Sequence, residues 1–428
     1  MLAQLRCGQF RQASKLAGDL LVFGSDDERA TALTAYGLAA WHQARVADAL
    51  SLLRAAADSA RRYRPPGAIR AHLALAAVQI ALGELSGAAA CLVDAGHLSS
   101  EHGDLGEAGM PAVSARHLLA SGRMNEAAEC AAWAIDAGRR DGLREFVASV
   151  ESVLAAIALR RGDLRGALEH VRRFEAEPPT IDGSLGSAEH RVTAAMVVAA
   201  KDGPTRAFEM TASLCDDPLA QRAMFAMVPV APAFLVRTAM SVGEHHRAEA
   251  VVAGAELLAR ENDDFPTVVA GELQARGLLE EDPSLLRQAI DAHRHPWARA
   301  SATEDLASVL ARSDPAAARN ACGRAIEGYA AVGAEHDVER VRDRLQTQVA
   351  RPRARQRPRA LEGWASLTDT ELKISDLVAQ GLTNQEAASR LFVSRHTVDF
   401  HLRSIYRKMN VHSRVQLALL FNDRPHWR

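Results

Sequence analysis

The segments Gly83–Ala88 (GELSGA), Gly122–Ala127 (GRMNEA) and Gly162–Ala167 (GDLRGA) share one turn motif. It consists of a small residue, an apolar residue two positions later and an alanine five positions later. The motif also occurs at Gly8 and Ala44, and in looser form at Gly203 and Gly243. Successive copies start 36 to 41 residues apart, and such regular spacing indicates a helical solenoid. Each repeat is therefore predicted to be a pair of antiparallel helices.

The physical chemistry of the motif fits a turn between two helices. Glycine can take the left-handed conformation that ends the first helix, and alanine lets the second helix approach closely. Two further repeats are predicted at Asp282-Pro283 and Asp314-Pro315, where aspartate caps a helix and proline occupies its first turn. Strand alternation and hairpin dipeptides are missing. Residues 1–345 therefore resemble an all-α, tetratricopeptide-like helical-repeat solenoid with repeats longer than the usual length of about 34 residues.

The composition predicts a well-packed multidomain protein. The chain has 428 residues, of which 48% are hydrophobic, so it can form more than one core. The five scattered cysteines include no C-x-x-C pair, which argues against disulfides or a zinc site and favours the cytoplasm. No signal peptide or membrane span is expected. The longest uncharged stretches, residues 30–44 and 223–236, are interpreted as buried repeat helices.

Charge is distributed unevenly along the chain. The net charge is −2, but residues 351–428 contain 14 Lys and Arg against 7 Asp and Glu, which gives +7 there and −9 elsewhere. A basic end on an acidic body is where a polyanion would bind. Residues 346–363 combine arginine with proline and are predicted to be an extended linker. The arginines of this linker either contact DNA or merely keep a hinge solvated.

Capping signals divide residues 364–428 into short helices. Thr368–Glu371 is a capping box that opens the first helix, and Gly381 ends it. Thr383–Glu386 is a second capping box, and the helix that it opens ends at Leu391. A third helix follows after a three-residue turn. Two short helices joined in this way indicate a helix-turn-helix.

The third helix is predicted to begin after the cap Ser394 and to end near Met409. Its apolar side consists of Val398, Leu402, Ile405 and Met409. The opposite side carries His396, Asp399, Phe400, Arg403, Ser404 and Arg407. Because this mixture of cations, hydrogen-bonding groups and one aromatic ring has no core to pack against, it suits the major groove of DNA. An ordinary solvated surface is the alternative interpretation.

The last domain resembles the LuxR-type helix-turn-helix family. The residues that carry the resemblance are Leu367-Thr368, Glu371, Val378–Asn384, Glu386, Ala388, Leu391–Ser394, Thr397-Val398, His401-Leu402, Ile405–Lys408 and Ser413-Arg414. This resemblance implies a four-helix DNA-binding domain over residues 364–428. Ala387 stands where the family usually has isoleucine. Asp399 and His396 stand where members often have a basic residue and an arginine, so the target DNA sequence is not implied.

The resemblance also implies which residues bind DNA. They are Thr383, Asn384, Ser394, Arg395, His396, Thr397, Asp399, Phe400, Arg403, Arg407, Lys408 and Arg414. Phe400 suits a thymine methyl group, and Arg403 suits guanine or a phosphate. The last three cations of the set are expected on the DNA backbone. His401 is expected to pack inside the domain.

The closing helix, residues 413–421, resembles the dimerising element of the family. Val415 and Leu419 are the expected contacts, and packing on the preceding helices is the alternative. A two-fold dimer would read two half-sites about one DNA turn apart. The expected partners are double-stranded promoter DNA, a second copy of the chain, RNA polymerase and an unidentified small-molecule or protein effector on the repeats.

The order of solenoid, linker and helix-turn-helix resembles the large ATP-binding LuxR regulators of the maltose-regulator type. Their nucleotide-binding motif G-x-x-x-x-G-K-[ST] does not occur in this sequence, so no cofactor is expected. The first turn motif comes already at Gly8. The chain is therefore interpreted as a shortened relative of those regulators, or as part of a longer gene product.

The sequence gives little support to an enzyme. It contains no serine elbow, catalytic cysteine context or phosphate loop. His245-His246 and His293-x-His295 lie outside any H-E-x-x-H setting and are interpreted as surface histidines near repeat turns rather than metal ligands. The predicted function is a sequence-specific transcriptional regulator whose repeats sense a ligand or protein. The alternative is a protein-interaction scaffold with an auxiliary DNA-binding domain.

Overall fold

The computed structural model divides the chain into two compact units, residues 1–346 and 347–428. All regular structure in the described residues is helical, as predicted, and none of the described helices is long and apolar enough to cross a membrane. The structure describes residues 25–422 except for 64–67, 103–104, 141, 177–186, 351–366, 368, 392–394, 410 and 412.

The first unit is built from stacked helix pairs. Its helices are α1 (Asp26–His42), α2 (Val46–Tyr63), α3 (Ala68–Leu82), α4 (Leu85–His102), α5 (Leu105–Ala120), α6 (Met124–Arg140), α7 (Arg144–Arg161), α8 (Leu164–Ala176), α9 (Ser187–Asp202), α10 (Pro204–Cys215), α11 (Pro218–Met227), α12 (Ala231–Ser241), α13 (His245–Glu261), α14 (Pro266–Leu279), α15 (Pro283–Ala292), α16 (Pro296–Ser313), α17 (Pro315–Ala331) and α18 (Glu335–Ala350). Sequential partners such as α3 and α4, or α16 and α17, pack together, and the first helices of neighbouring pairs contact one another. This stacking is the predicted tetratricopeptide-like solenoid.

The turn motif takes the predicted conformation. Gly83, between α3 and α4, has a φ of 75°, in the left-handed region that glycine tolerates best. Ala44 takes the same place between α1 and α2 with a φ of 57°. The motif alanine is fully buried in every described copy, namely Ala49, Ala88, Ala127, Ala167, Ala207 and Ala248. Asp282 and Asp314 accept hydrogen bonds from the first backbone amides of α15 and α17, as caps do.

One helix in the described part of the first unit does not belong to a helix pair. An additional short helix, α11, lies between α10 and α12, and its cap is Asp217, followed by Pro218. The uncharged stretch 223–236 is therefore not one repeat helix, because it contains the end of α11, a turn and the start of α12. A further left-handed turn occurs at Gly333, where the motif is absent. The last helix, α18, continues to Ala350 and so includes the first five residues of the stretch assigned to the linker.

Early and late helices of the first unit contact one another. Thr267 at the start of α14 donates a hydrogen bond to the carbonyl of Leu82, over 2.6 Å. A Cβ added to Gly83 would lie 2.3 Å from the Cβ of Arg294. The solenoid therefore curves back on itself, and its inner helices surround a cavity of about 590 Å³.

This curvature corrects one prediction from the sequence. His245 and His246 are exposed as expected, but the surface assignment is wrong for His293 and His295. His293 is fully buried, and its Nε2 lies 2.7 Å from Oε1 of Gln274. The Nε2 of His295 lies 2.7 Å from the carbonyl oxygen of Ile80, far away in sequence. No group of three or more metal-ligating side chains occurs in the described part of the chain.

The second unit contains the four helices that the resemblance implies. They are α19 (Asp369–Ala379), α20 (Asn384–Leu391), α21 (Arg395–Met409) and α22 (Arg414–Asn422). Their shared core consists of Leu367, Ile374, Leu377, Val378, Ala387, Ala388, Val398, Leu402, Ile405, Val411 and Leu417. Ala387 is completely buried, so the small side chain at this position lies inside the core.

Candidate DNA-binding surface

The start of α20 is fixed by the predicted capping box. The Oγ1 of Thr383 accepts a hydrogen bond from the backbone N–H of Glu386 over 3.3 Å. In return the carboxylate of Glu386 accepts one from the backbone N–H of Thr383 over 2.7 Å. The hydrogen bond from the backbone N–H of Thr383, followed by one from its hydroxyl group over 2.8 Å, lowers the pKa of the Glu386 carboxyl group. Gly381, with a φ of 88°, ends α19 as predicted.

Helix α21 has one buried and one exposed side. Val398 and Ile405 are fully buried in the core, together with Leu402, which confirms the predicted apolar side. Arg403 is exposed on the other side, and Arg395 is exposed at the N-terminal end of the helix. The domain thus holds α21 rigidly by its apolar side and leaves two guanidinium groups accessible, an arrangement that can serve a polyanion.

A buried ion pair joins α19 to the C-terminal half of α21. The carboxylate of Glu371 accepts hydrogen bonds from Nζ of Lys408 over 2.6 and 2.8 Å and from Oγ of Ser404 over 2.8 Å. Glu371 is only 3% exposed. Ser404 therefore faces α19, which corrects its assignment to the DNA side. Lys408, which was expected to contact the DNA backbone, binds Glu371 within the domain.

Three of the expected DNA contacts are hydrogen-bonded to one another. Nδ2 of Asn384 donates to Oδ1 of Asp399, and Nη1 of Arg414 donates to Oδ1 of Asn384 over 2.7 Å. Nε of Arg395 lies 3.9 Å from Oδ2 of Asp399. This network links the N-terminal ends of α20, α21 and α22. It orients the three helices whether or not its members also contact DNA.

The remaining expected contacts divide into two groups. Thr397 is half-buried, and so is His401, which was expected inside the domain. Ser394 and the side chains of His396, Phe400 and Arg407 lie outside the described residues. The sequence analysis missed the role of Glu371 as the partner of Lys408, because a capping-box glutamate gives no local sign of a contact 37 residues away.

Helix α22 presents two apolar residues to solvent. Val415 and Leu419 are 68% and 61% exposed, and their spacing of four residues places them on the same side of the helix. Leu417 lies between them and is fully buried in the core. The packing of α22 on the preceding helices therefore uses Leu417 and leaves the predicted dimer contacts uncovered.

The geometry of α19 to α22 agrees with a family comparison. Residues 365–421 match the model of a family described as bacterial regulatory proteins, luxR family. These residues form a LuxR-family helix-turn-helix domain. The similarities to the curated relatives described next extend over stretches of 63 residues or fewer.

Three relatives illustrate the similarity. The Mycobacterium tuberculosis protein Rv0890c, named as an HTH-type transcriptional regulator, is 49% identical over 63 residues, or 15% of this chain and 7% of its own. A nitrate/nitrite response regulator protein homolog of Haemophilus influenzae is 48% identical over 56 residues, or 13% and 27%. The transcriptional regulatory protein LiaR of Bacillus subtilis is 43% identical over 54 residues, or 13% and 26%. The chain thus spans about a quarter or less of these relatives.

A solved structure, the TPR domain of P58(IPK), superposes on the chain with a TM-score of 0.24 and 15% sequence identity. The superposition covers 80% of this chain and 99% of that one. The helix pairs and turns of the first unit, rather than this weak superposition, define its repeat architecture.

Proposed function

We propose that this chain is a sequence-specific DNA-binding transcriptional regulator. The observation that supports this most is the LuxR-family domain, in which α21 is anchored on one side, exposes Arg403 on the other and exposes Arg395 at its N-terminal end. Relatives that share this domain are named as transcriptional or response regulators. In the proposed complex, α21 enters the major groove of promoter DNA and these arginines contact bases or adjacent phosphates.

In this proposal, some residues around α21 contact DNA and others position the helix. Arg403 reads a base, and the side chains of Phe400, His396 and Thr397 are further candidates on the same helix. Asp399 and Asn384 keep α21 at its angle to α20, together with Arg414. Lys408 holds the far end of α21 through Glu371, so its contribution to DNA binding is mainly one of position.

A gel-shift titration of the whole chain on genomic promoter fragments tests the proposal. Arg403→Ala should weaken binding to a cognate site by roughly 10- to 100-fold, because a base contact from arginine contributes about 1 to 3 kcal/mol. Arg390→Ala is the matched control, since Arg390 is exposed on α20 rather than α21. A similar loss on all DNA sequences would make Arg403 a phosphate contact. Absence of binding to any promoter fragment would favour a protein-interaction scaffold instead.

The proposed regulator acts as a homodimer on DNA, through Val415 and Leu419. Replacing both with serine should leave the fold intact, because both are exposed, and should convert the bound species from two chains per site to one. Leu219→Ser, at a residue 81% exposed in the first unit, is the control. Analytical ultracentrifugation of the complex measures this, and a wild-type monomer on the operator would refute the dimer.

The helical unit is the sensing part of the proposed regulator. Its support is the cavity of about 590 Å³ enclosed by the inner helices, because small-molecule sites are commonly clefts of about 300 to 1,000 Å³. Occupancy of this cavity would change promoter affinity or the recruitment of RNA polymerase.

The linker arginines would add phosphate contacts, so their replacement by serine should flatten the salt dependence of DNA binding.

A further inference from the structure

The cavity of the helical unit has a mainly apolar wall. Inner helices from α3 to α18 border it, together with the turn between α11 and α12. Apolar side chains cover much of its surface, including Leu119, Val153, Val192, Met196 and Phe234. A wall of this kind favours a ligand with an apolar body, since burial of such a body removes it from water.

Charged side chains at the cavity are almost completely paired. Arg237 binds Asp305 over 2.6 Å, and Arg340 binds Glu304 over 2.6 Å. The other two paired arginines are Arg116 with Glu189, and Arg344, which is 3.3 Å from Glu304. The fourth carboxylate, Asp337, accepts hydrogen bonds from Nη1 of Arg340 over 2.5 Å and from Nε1 of Trp297 over 2.9 Å.

Arg160 is the one arginine of the cavity lining that has no carboxylate partner among the described residues. Five arginines and four carboxylates border the cavity, so the lining carries one net positive charge if all of them are ionised. Among the residues that the structure describes, none forms a hydrogen bond or ion pair with Arg160. Its guanidinium instead lies over the ring of Trp297, 4.8 Å from the centroid. Burial lowers the pKa of Arg160 to about 10, so it remains charged at neutral pH.

Arg160 is half-buried, and none of the described side chains supplies an acceptor for its guanidinium, which leaves its donors available to a ligand in the cavity. The hydrogen bond from Trp297 to Asp337 holds the ring beneath Arg160 and thereby fixes the guanidinium at the cavity. A cavity that keeps one donor group fixed and without an acceptor is prepared for an acceptor from outside. A carboxylate or a phosphate matches the planar, forked donors of arginine.

We propose that this cavity binds a small organic monocarboxylate, whose charge pairs with Arg160 and whose apolar body lies against the wall of Met196 and Phe234. The single surplus charge favours one negative charge over a phosphate dianion, which would leave one charge uncompensated. A cationic ligand would add a second unpaired charge. The proposal deepens the sensing role given above to the helical unit and rests on that proposed function for its regulatory meaning.

A matched series of probes tests the proposal on the full chain. The probes are 4-phenylbutyrate, 4-phenylbutan-1-ol and 4-phenylbutylammonium, which share a body and differ in the charged group. Isothermal titration calorimetry should show that the carboxylate binds about tenfold or more tightly than the alcohol, since charge-assisted hydrogen bonds are the strong ones. The ammonium should bind most weakly. Equal affinities, or no binding of the carboxylate, would overturn the proposal.

Variants locate the effect at Arg160. Arg160→Met should reduce the affinity for the carboxylate to that for the alcohol, while Arg160→Lys should keep a preference for the carboxylate. Arg165→Met is the matched control, because Arg165 is exposed on the neighbouring helix α8, and it should bind like the wild type. A persisting carboxylate preference in Arg160→Met would refute the assignment. If that variant fails to fold, the wild-type probe series still decides the ligand class.

The same experiments separate this inference from the proposed function. Arg403→Ala should bind 4-phenylbutyrate as the wild type does, because the residues that line the cavity belong to the helical unit. A wild-type chain that binds promoter DNA but shows no preference for the carboxylate would refute the inference alone. A chain that binds the carboxylate and no promoter fragment would support the cavity and refute the proposed regulator.

Discussion

The two units of the chain bury charge in different ways. In the helical unit, the carboxylate of Asp305 has two donors, Arg237 at 2.6 Å and Gln274 at 2.7 Å, and Glu304 has Tyr329 as well as its arginines. In the LuxR-family domain, Glu371 accepts hydrogen bonds from Lys408 and Ser404. The first arrangement surrounds a cavity, and the second joins two helices.

The arginines that a ligand can reach in the two units also differ in how deeply they are buried. The surplus cation of the helical unit, Arg160, is half-buried and lines a cavity of about 590 Å³, a volume suited to a small molecule. The cations that α21 presents, Arg395 and Arg403, are exposed, where a large polyanion can reach them. Burial strengthens electrostatic selectivity, whereas exposure permits a large, salt-sensitive interface. The two proposed roles, small-ligand recognition by the helical unit and nucleic-acid recognition by the LuxR-family domain, follow this difference.

The largest expected effect on stability comes from breaking the ion pair of the LuxR-family domain. Lys408→Met removes the ammonium group that binds the buried Glu371 carboxylate and should destabilise the domain by about 3 to 5 kcal/mol. Hydrogen exchange of α19 and α21 in the full chain measures this. Lys373→Met is the control, since Lys373 is exposed on α19.

A double variant sharpens that test. Glu371→Gln combined with Lys408→Met removes both charges, so it should recover part of the lost protection against exchange. Protection in Lys408→Met equal to that of the wild type would contradict the central role given to this pair.

The next largest effect concerns the turns of the helical unit. Gly83→Ala should cost about 2 to 4 kcal/mol, because the new methyl group meets the Cβ of Arg294 in addition to the strain of a left-handed alanine. Gly162→Ala is the matched control, because Gly162 is left-handed too (φ 82°, ψ 5°) and the nearest atom to its added Cβ, the Cβ of His336, is 3.8 Å away, and it should cost about 1 kcal/mol. Urea unfolding measures both, and equal costs would show that the close approach at Gly83 is unimportant.

The sequence predicts the LuxR-family domain more completely than the helical unit, and the reason is physical. The bounds of α20 depend on groups within a few residues of its ends, such as the capping box of Thr383 and the left-handed Gly381, so they can be read locally. The repeat turns are local in the same way. The additional helix α11 carries a local signal too, because Asp217-Pro218 is the same cap pattern that predicts α15 and α17.

The cavity could not be predicted from the sequence. No sequence motif marks Arg160 as a functional residue. The adjacent Arg161 donates a hydrogen bond to Asn125 on the outside of the unit. Trp297 reaches Arg160 only because the solenoid curves through many repeats, and small turn angles that accumulate over repeats are not encoded in any short segment. The burial of His293 has the same origin, since it depends on helices that are distant in the chain.

A smaller effect should appear in the pH dependence of the helical unit. The unfolded chain binds a proton at histidine near pH 6.5, whereas folded His293 has a pKa of about 3 because of burial. Stability from this group is therefore complete above about pH 6.5 and is lost as the pH falls, by up to about 1.4 kcal/mol per pH unit. His190, with a pKa lowered by burial to about 4, adds to the same loss.

Urea unfolding of His293→Gln between pH 7 and 5 tests this expectation. The variant should lose part of its acid sensitivity, although its stability at pH 7 should also fall because the bond to Gln274 changes. His246→Gln, at an exposed position, should unfold with the wild-type pH profile. An unaltered slope in His293→Gln would show that the ring is already accessible to protons in the folded unit.

The smallest expected effect concerns the capping box, which occurs in both units. Ser25 and Glu28 form a capping box at α1, as Thr383 and Glu386 do at α20. Ser25→Ala and Thr383→Ala should each cost about 1 kcal/mol of local stability, because each removes one acceptor for a helix-end N–H group. Only Thr383→Ala should also weaken promoter binding, by roughly two- to fivefold, since α20 orients α21 through Asn384. A comparable loss of DNA affinity in Ser25→Ala would mean that the helical unit contributes to the DNA complex through its own stability, and the division of labour between the two units would fail.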